Sequence, residues 1–240
     1  MPFTFSHPAI VLPLAYLPKK SFSLTALIVG SMAPDFEYFL RMRVNGTYGH
    51  TVAGMFWFDL PLGILLALAF HNLVREALIS NLPSHLQGRF AIYAKADWNA
   101  YFREHFIVVI CSMLIGVASH LFWDSFTHEH GYFVQRISIL KQIAIQCFPW
   151  YRILQHLSTL SGALVICFAI YKMPVYQAAH NKILGYWLTI MLVAGLIFCL
   201  RMQFTGSLGI GSFIASVIAS VLLSLIIVSL VWTKKHSVRN

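Results

Sequence analysis

The chain has 240 residues, of which only 10% are charged and 58% are hydrophobic, and its mean hydropathy is +0.72. A soluble domain carries about a quarter charged residues, so this composition excludes a water-soluble globular protein and indicates a chain that lies mostly in lipid. The formal charge of +9 comes from basic residues in short connections between apolar runs, and no basic stripe interleaved with aromatic residues is present, which argues against nucleic-acid binding.

The apolar runs follow one another along the chain. Residues 8–18 are short and rich in proline, so we expect a broken helix there, joined by a turn at Lys19 and Lys20 to a longer element at 22–40. The same prolines, and the lack of a basic start, argue against a cleavable signal peptide. Five further runs approach or exceed the roughly 20 residues that a spanning helix needs, namely 52–74, 105–127, 155–173, 183–202 and 208–232.

Between the spans at 52–74 and 105–127, charged residues are mixed with aromatic ones, so we expect an interfacial helix near 75–104. An open sheet cannot span lipid, and a barrel would show strict alternation of polar and apolar residues. We therefore predict an all-α fold, a polytopic transmembrane bundle of six to seven hydrophobic helices that forms one integral membrane domain over residues 1–240.

The basic residues predict the orientation of the bundle. With seven hydrophobic elements, one side carries 11 of the 17 lysines and arginines and the other side carries six. The richer side consists of Lys19, Lys20, Arg75, Arg89, Lys95, Arg103, Lys172, Lys182, Lys234, Lys235 and Arg239. Because basic residues favour the cytoplasmic side, we expect the other face to point outward.

Half of the acidic residues and many histidines fall on that outer face. The set consists of His7, Asp35, Glu37, His50, His120, Asp124, His128, Glu129, His130 and His156. Its members are separated by up to about 150 positions in sequence, yet the predicted topology places them at one depth of one membrane face. Ionisable residues inside or beside a spanning helix are costly, so they indicate a functional site.

The local spacing within this set suits metal binding. His120 and Asp124 are four positions apart, so they lie one helical turn apart on one face, and His128 continues that face. Imidazole together with carboxylate suits Zn²⁺, Fe²⁺ or Mn²⁺ better than Ca²⁺. Asp35 and His156 are also placed where they would simply cap helices, and both interpretations stay open.

Several segments resemble the domain of unknown function 4184 family, a set of bacterial membrane proteins. The segments are Met1 to Ala9 (MPFTFSHPA), Gly30 to Phe39 (GSMAPDFEYF), His50, Ser119 to His128 (SHLFWDSFTH) and Gln155 to Gly162 (QHLSTLSG). The resemblance covers about residues 1–165, and the two further spans within 183–232 add little to it. It implies a location in the bacterial inner membrane.

The order of these residues is also similar to that of membrane-bound metal-dependent hydrolases and of the all-helical zinc-dependent phospholipase C and nuclease group. This distant likeness implies that His50, His120 and Asp124 hold one ion and that His7 binds a neighbouring one, with Asp124 bridging. It implies that Asp35 is a ligand or a general base, and that His128 and His156 serve a further ion. The chain departs from that group at Leu160. In the phospholipase group a glutamate stands at this position, four residues after the histidine that corresponds to His156. In this chain, Glu37, Glu129 or His130 would have to take the place of that glutamate.

These observations favour a membrane-bound hydrolase that uses a divalent metal, with Zn²⁺ expected and more than one ion allowed, on a phosphoester or lipid-linked substrate. Asp35 and Glu37 are the predicted catalytic carboxylates, with Asp35 as the general base, and Arg41 and Arg43 are predicted to hold a phosphate. Two other classes stay open: a transporter or channel that uses the cluster as an ion or proton relay, and a protein with a structural metal site. The expected partners are the bilayer and such a substrate, and the sequence leaves the oligomeric state undefined.

Overall fold

The computed structural model of the protein describes residues 3–17, 21–145, 147–177, 183–204 and 208–237. The turn expected at Lys19 and Lys20, and the basic residues Lys182 and Arg239, lie outside these ranges.

The described chain is mostly helical, which confirms the predicted all-α class. Its α-helices in chain order are α1 (Pro8–Val11), α2 (Leu24–Arg41), α3 (Leu60–Ala69), α4 (Arg75–Ser80), α5 (Ser84–Ala94), α6 (Trp98–Glu104), α7 (Phe106–Thr127), α8 (Tyr132–Arg136), α9 (Ser138–Lys141), α10 (Trp150–Lys172), α11 (Ile183–Gln203) and α12 (Ile210–Ser237). Short 3₁₀ segments (Thr4–Ser6 and Leu12–Tyr16) flank α1, and π-helical segments (Met55–Asp59 and Phe70–Val74) flank α3. Two short strands, β1 (Ile143–Ile145) and β2 (Phe148–Pro149), pair antiparallel ahead of α10.

Five stretches of the described chain are long and apolar enough to cross a membrane, so the protein is a multi-pass membrane protein. They are Met55–Ser80, Phe106–Arg136, Trp150–Lys172, Ile183–Gln203 and Ile210–Trp232. The predicted run at 22–40 forms helix α2, but its second half carries Asp35, Glu37 and Arg41, and it is not one of these five stretches. The short element predicted at 8–18 contains α1 followed by a 3₁₀ segment.

The helix expected near 75–104 is present as two short helices, α5 and α6, after the end of α4. Pro83 precedes α5, where a fixed φ suits a helix start. Before α6, the side chain of Asp97 accepts a hydrogen bond from the backbone N–H of Ala100 at 2.9 Å, which satisfies one of the amides that a helix start leaves open.

The chain divides into two compact units. The first contains Met1–Phe36, Thr47–Ile64 and Glu104–Lys172, and the second contains Glu37–Gly46, Leu65–Arg103 and Met173–Asn240. In the second unit, Tyr186 and Ile190 of α11 are buried against Ala77 and Val228. The Tyr186 hydroxyl lies 3.0 Å from the Ser229 hydroxyl, which satisfies both polar groups in an apolar core.

Candidate metal centre

The site in the first unit begins with a close approach of α2 and α7. A Cβ added to Gly116 would lie 2.5 Å from the Leu27 carbonyl oxygen and 2.7 Å from the Ser31 amide nitrogen. A Cβ added to Gly30 would clash with the carbonyl oxygen of Met113. The two glycines therefore let the helices meet backbone to backbone, as small residues do between membrane helices.

This approach fixes the orientation of His120, one turn beyond Gly116. Its ring nitrogen Nδ1 lies 2.7 Å from the carbonyl oxygen of Ser31. Because a carbonyl only accepts, Nδ1 is the protonated nitrogen, and Nε2 presents its lone pair on the other side of the ring. Metal-binding histidines are commonly held in this way, by a hydrogen bond from the nitrogen that does not bind the ion.

His120 Nε2 is one of four side-chain atoms that face one another. His120 Nε2 lies 3.3 Å from Asp124 Oδ2 and 3.7 Å from Asp35 Oδ1. On the opposite side, His50 Nε2 lies 3.4 Å from Asp35 Oδ1 and 3.6 Å from Asp124 Oδ2. Two imidazoles and two carboxylates thus alternate around a closed ring, and they come from α2, α7 and the connection before α3.

These separations match those between ligands of one metal ion. Two ligands about 2.05 Å from a tetrahedral zinc ion lie about 3.3 Å from each other. The four distances of 3.3 to 3.7 Å are close to that value, and they are longer than good N–H···O hydrogen bonds. Two groups of three side chains have ligand atoms that all lie within 4.8 Å of one another, namely His7, Asp35 and His120, and His50, His120 and Asp124, so each group has the dimensions of a three-ligand metal site.

Asp124 also faces two further histidines. Its other oxygen, Oδ1, lies 3.6 Å from His7 Nε2, and the His7 ring stacks on the His120 ring with centroids 3.8 Å apart. His128 follows the last residue of α7, yet its Nδ1 lies 3.4 Å from Asp124 Oδ2 and 3.1 Å from the Asp124 carbonyl oxygen. We call His7, Asp35, His50, His120, Asp124 and His128 together the His/Asp cluster.

The cluster contains buried polar atoms that have no hydrogen-bond partner among the described residues. They are both ring nitrogens of His7, Oδ1 of Asp35, Nε2 of His120, both carboxylate oxygens of Asp124 and Nε2 of His128. Leaving a buried polar group without a partner costs about 1–3 kcal/mol, and more for a charged one. A divalent cation would satisfy several of these atoms at once, so the residues present fit such an ion.

Two neighbours support the carboxylate of Asp35 and the backbone before His50. The hydroxyl of Thr4 donates to Asp35 Oδ2 at 2.6 Å, which turns Oδ1 toward the imidazoles. Gly49 lies so close to α2 that an added Cβ would be 2.6 Å from the Pro34 carbonyl oxygen and 3.2 Å from Oδ1 of the buried Asp59. Thr4 and Gly49 therefore hold the ligand groups in place without joining the ring themselves.

Two histidines of the His/Asp cluster, His7 and His50, lie outside the membrane-spanning stretches, and their pKa values are shifted in opposite directions. Burial, with a smaller contribution from the neighbouring His120, lowers the pKa of His7 to about 3 and keeps its imidazole neutral. Burial alone would also lower the pKa of His50, but the carboxylates of Asp124 and Asp35 outweigh it and raise that pKa to about 9. The carboxylates thus favour positive charge at this point of the structure.

The other predicted site residues lie outside the His/Asp cluster. His156 on α10 is exposed and belongs to neither group of His and Asp side chains whose atoms lie within 4.8 Å of one another. Glu37 is buried, and its Oε1 accepts hydrogen bonds from Nε and Nη2 of Arg41 at 3.0 and 2.8 Å. Arg43, Glu129 and His130 are exposed. The roles proposed for these residues stay predictions.

No pattern in the sequence pointed to Thr4 or Ser31. Ser31 acts through its backbone carbonyl, which leaves no trace in a pattern of residue types. Thr4 acts through a single hydroxyl on a segment that precedes Asp35 by 31 positions. The Glu37–Arg41 pair, in contrast, has the spacing of a helical ion pair, and that signal was present in the sequence.

The fold and the cluster define a multi-pass helical membrane protein with a buried constellation of histidines and aspartates. The chain belongs to the family described as domain of unknown function DUF4184, whose family model matches residues 1–230. The match continues past residue 165 and includes most of the last two spans. No curated protein and no solved structure matches the chain.

Proposed function

We propose that this protein is a membrane-bound metal-dependent hydrolase whose His/Asp cluster holds a divalent cation and whose substrate is a phosphoester on a lipid or lipid-linked molecule. The observation that carries the proposal is the ring of His50, His120, Asp35 and Asp124 side-chain atoms, with neighbouring atoms 3.3 to 3.7 Å apart. A distant similarity to membrane-bound metal-dependent hydrolases and to zinc-dependent phospholipases, in the order of these residues, supports the reaction class.

The donor set favours zinc, with ferrous iron and manganese as alternatives. Two imidazoles and two carboxylates suit these borderline ions, whereas calcium prefers six or more oxygens. The two carboxylates together carry the charge that balances one divalent cation. Asp124 is also placed to bridge a second ion, because its Oδ1 faces His7 while its Oδ2 faces the ring.

A divalent ion at this place would bring the pKa of a coordinated water toward neutrality and neutralise charge on a phosphoryl oxygen. The chain's own residues position that chemistry. Asp35 has one oxygen in the ring and the other bound to Thr4, so its contacts support the role of a ligand more than that of a general base. His120, held by Ser31, keeps its Nε2 directed at the ring.

Partial exposure on one side favours catalysis. The side chains of His50 and His128 are 25% and 30% exposed, whereas those of Asp35 and His120 are fully buried. The cluster is thus anchored in the protein and accessible at one edge. Catalytic zinc sites commonly have three protein ligands and keep a fourth position for water, whereas structural sites are closed by four protein ligands, and each of the two groups of His and Asp side chains offers three.

A structural metal site is the second candidate, and the full burial of Asp35 and His120 favours it. A transporter or channel that uses the cluster as a relay is the third candidate, because such sites commonly lie near the bilayer midplane. His120 and Asp124 lie in the last two turns of α7, but the spanning stretch that contains them runs from Phe106 to Arg136, and His120 lies near its middle.

The test uses detergent-purified protein, metal analysis by mass spectrometry, and hydrolysis of p-nitrophenyl phosphate, bis-p-nitrophenyl phosphate and phosphatidic acid. We expect bound zinc, iron or manganese and hydrolysis of at least one probe, both lost in His120→Ala and Asp124→Asn. The control is His85→Ala, which changes an exposed histidine of the second unit. Bound metal without hydrolysis would favour the structural candidate, and absence of metal in the wild type would refute both.

A further inference from the structure

A groove in the first unit runs alongside the His/Asp cluster. Its lining includes His7, Ile10, Trp123, Ser161, Gly162 and Val165, so it lies between the amino-terminal segment, α7 and α10. At its base, the segment around Ser6 packs directly on α10, because a Cβ added to Gly162 would lie 2.8 Å from the Ser6 carbonyl oxygen. The groove is therefore built by contacts within one unit.

The walls of the groove are effectively apolar despite three serines. The Ser6 hydroxyl donates to the carbonyl of Thr159, the Ser158 hydroxyl donates to that of Leu154, and the Ser161 hydroxyl donates to that of Ser158. A serine whose hydroxyl is bonded to the backbone offers little to a polar ligand. Ile10, Trp123 and Val165 complete the lining with apolar surface that is 36 to 46% exposed.

The position of the groove on the spanning helices restricts what can enter it. Residues 158–165 lie about 12 to 22 Å along α10 from its first residue, at a rise of about 1.5 Å per residue. Only 11% of the α10 span is buried, and its neighbouring leucines (Leu157, Leu160 and Leu164) are exposed. The groove thus opens toward the hydrocarbon of the bilayer, where lipid chains are the abundant molecules.

His7 joins the groove to the cluster. Its ring lines the groove, its Nε2 lies 3.6 Å from Asp124 Oδ1, and it stacks on the ring of His120. Trp123, the residue before Asp124, lines the groove as well. A molecule that occupied both places would have an apolar chain in the groove and a polar group next to Asp124.

From this continuity we infer that the groove binds a hydrocarbon chain of a membrane lipid whose phosphoester head group lies at the His/Asp cluster. The head-group chemistry rests on the proposed function, but occupation of the groove by a lipid chain does not. The inference adds a binding site for the apolar part of the substrate, a part that water-soluble phosphoesters lack.

The test is photolabelling of the purified full-length protein in phosphatidylcholine vesicles that contain phosphatidic acid with a diazirine in one acyl chain. Labelled peptides are mapped by mass spectrometry. We expect labelling of the segments Ser6–Ile10 and Ser158–Val165 above that of Leu192, a lipid-exposed position of α11 that reports background. Ser161→Phe should reduce the groove labelling about fivefold or more, because its ring would fill the space of the chain.

The matched control is Ala163→Phe, an exposed position of the same helix outside the groove lining, which should leave the labelling unchanged. If Ser161→Phe does not fold, the pair Val165→Trp and Leu164→Trp repeats the comparison, since Val165 lines the groove and Leu164 does not. Labelling of the groove no stronger than at Leu192, or unaffected by the filling variants, would overturn the inference.

The same experiment separates the two proposals. His120→Ala should lose metal and hydrolysis while it keeps the groove labelling, because the groove is formed without His120. If the groove residues are labelled but the wild-type protein neither binds metal nor hydrolyses phosphoesters, the lipid site is supported and the hydrolase is refuted. If the protein hydrolyses soluble phosphoesters but the groove residues are not labelled, the hydrolase is supported and the lipid site is refuted.

Discussion

His120 donates its Nδ1 proton to the backbone carbonyl of Ser31, across the contact between α7 and α2, at 2.7 Å. The bond joins residues 89 positions apart and exists only because Gly30 and Gly116 let the two helices approach closely. It selects the tautomer of His120 in which Nε2 is free to bind a cation. The geometry of the cluster thus depends on helix packing one turn away from it.

The first prediction concerns that packing. Gly116→Ala should destabilise the protein by about 1–3 kcal/mol, the usual cost of overpacking, because the new Cβ would meet backbone atoms of Leu27 and Ser31. The metal content of this variant should fall as well, because Ser31 and His120 would move apart. Thermal unfolding of the detergent-solubilised protein and metal analysis measure both effects.

Gly195→Ala on α11 is the control for Gly116→Ala, because no described atom lies within 4 Å of its added Cβ. Its stability should stay within about 0.5 kcal/mol of the wild type, as for substitutions away from packed sites. Equal stability and metal content in both variants would show that the α2–α7 approach does not control the cluster.

The second prediction concerns Thr4, whose hydroxyl holds the Asp35 carboxylate. Thr4→Val keeps the shape of the side chain but removes the donor, and we expect metal affinity to fall roughly 10- to 100-fold, as for other residues that orient a metal ligand. Thr4→Ser keeps the hydroxyl and should bind metal nearly as well as the wild type. Competition with a metal-binding dye measures the affinities, and equal values for Val and Ser would contradict the positioning role.

The third prediction concerns removal of the ion. A ligand that binds only the folded state at 100 times its dissociation constant adds about 2.7 kcal/mol of stability. A strong chelator should therefore lower the unfolding temperature of the wild type by several degrees. Asp124→Asn, which loses the carboxylate shared by four histidine contacts, should show little change on chelation. A chelator effect of the same size in both proteins would place the ion elsewhere.

The fourth prediction separates His7 from His156. His7 faces the second oxygen of Asp124, so His7→Ala should reduce the metal content by one ion if two are bound, and weaken retention of the ion if one is bound. His156 is exposed on α10 and lies outside both groups, so His156→Ala should keep the full metal content. Loss of metal in His156→Ala would restore this residue to the ligand set that the distant similarity implied.

The sequence predicted the spans well because the length of an apolar run is a local property. The runs at 105–127 and 183–202 appear as Phe106–Thr127 and Ile183–Gln203. The division of 75–104 into two helices was also visible, since Pro83 and the capping Asp97 are signals of helix starts. We predicted one interfacial helix because the region has an amphipathic composition, and that prediction did not take account of these two breaks.

The candidate site was less predictable than the spans. His120 and Asp124 could be paired by helical spacing, and a shared membrane depth placed His7, Asp35 and His50 near them. The hydrogen bond to the Ser31 carbonyl could not be predicted, because it depends on how closely two helices approach. The exposure of His156 depends in the same way on the rotation of α10 about its axis, which a helix with apolar residues on several sides does not specify.

The amino-terminal segment has a consequence for the order in which the site can form during synthesis. Residues 3 and 6 bond to Thr159, 156 and 153 positions later, and His7 meets Asp124 only once α7 exists. The ribosome therefore makes His7 long before its neighbours, because Asp124 follows it by 117 positions in the chain. Cation loading would then be a late event in biogenesis, and a bound ion would mark a chain whose membrane insertion has already succeeded.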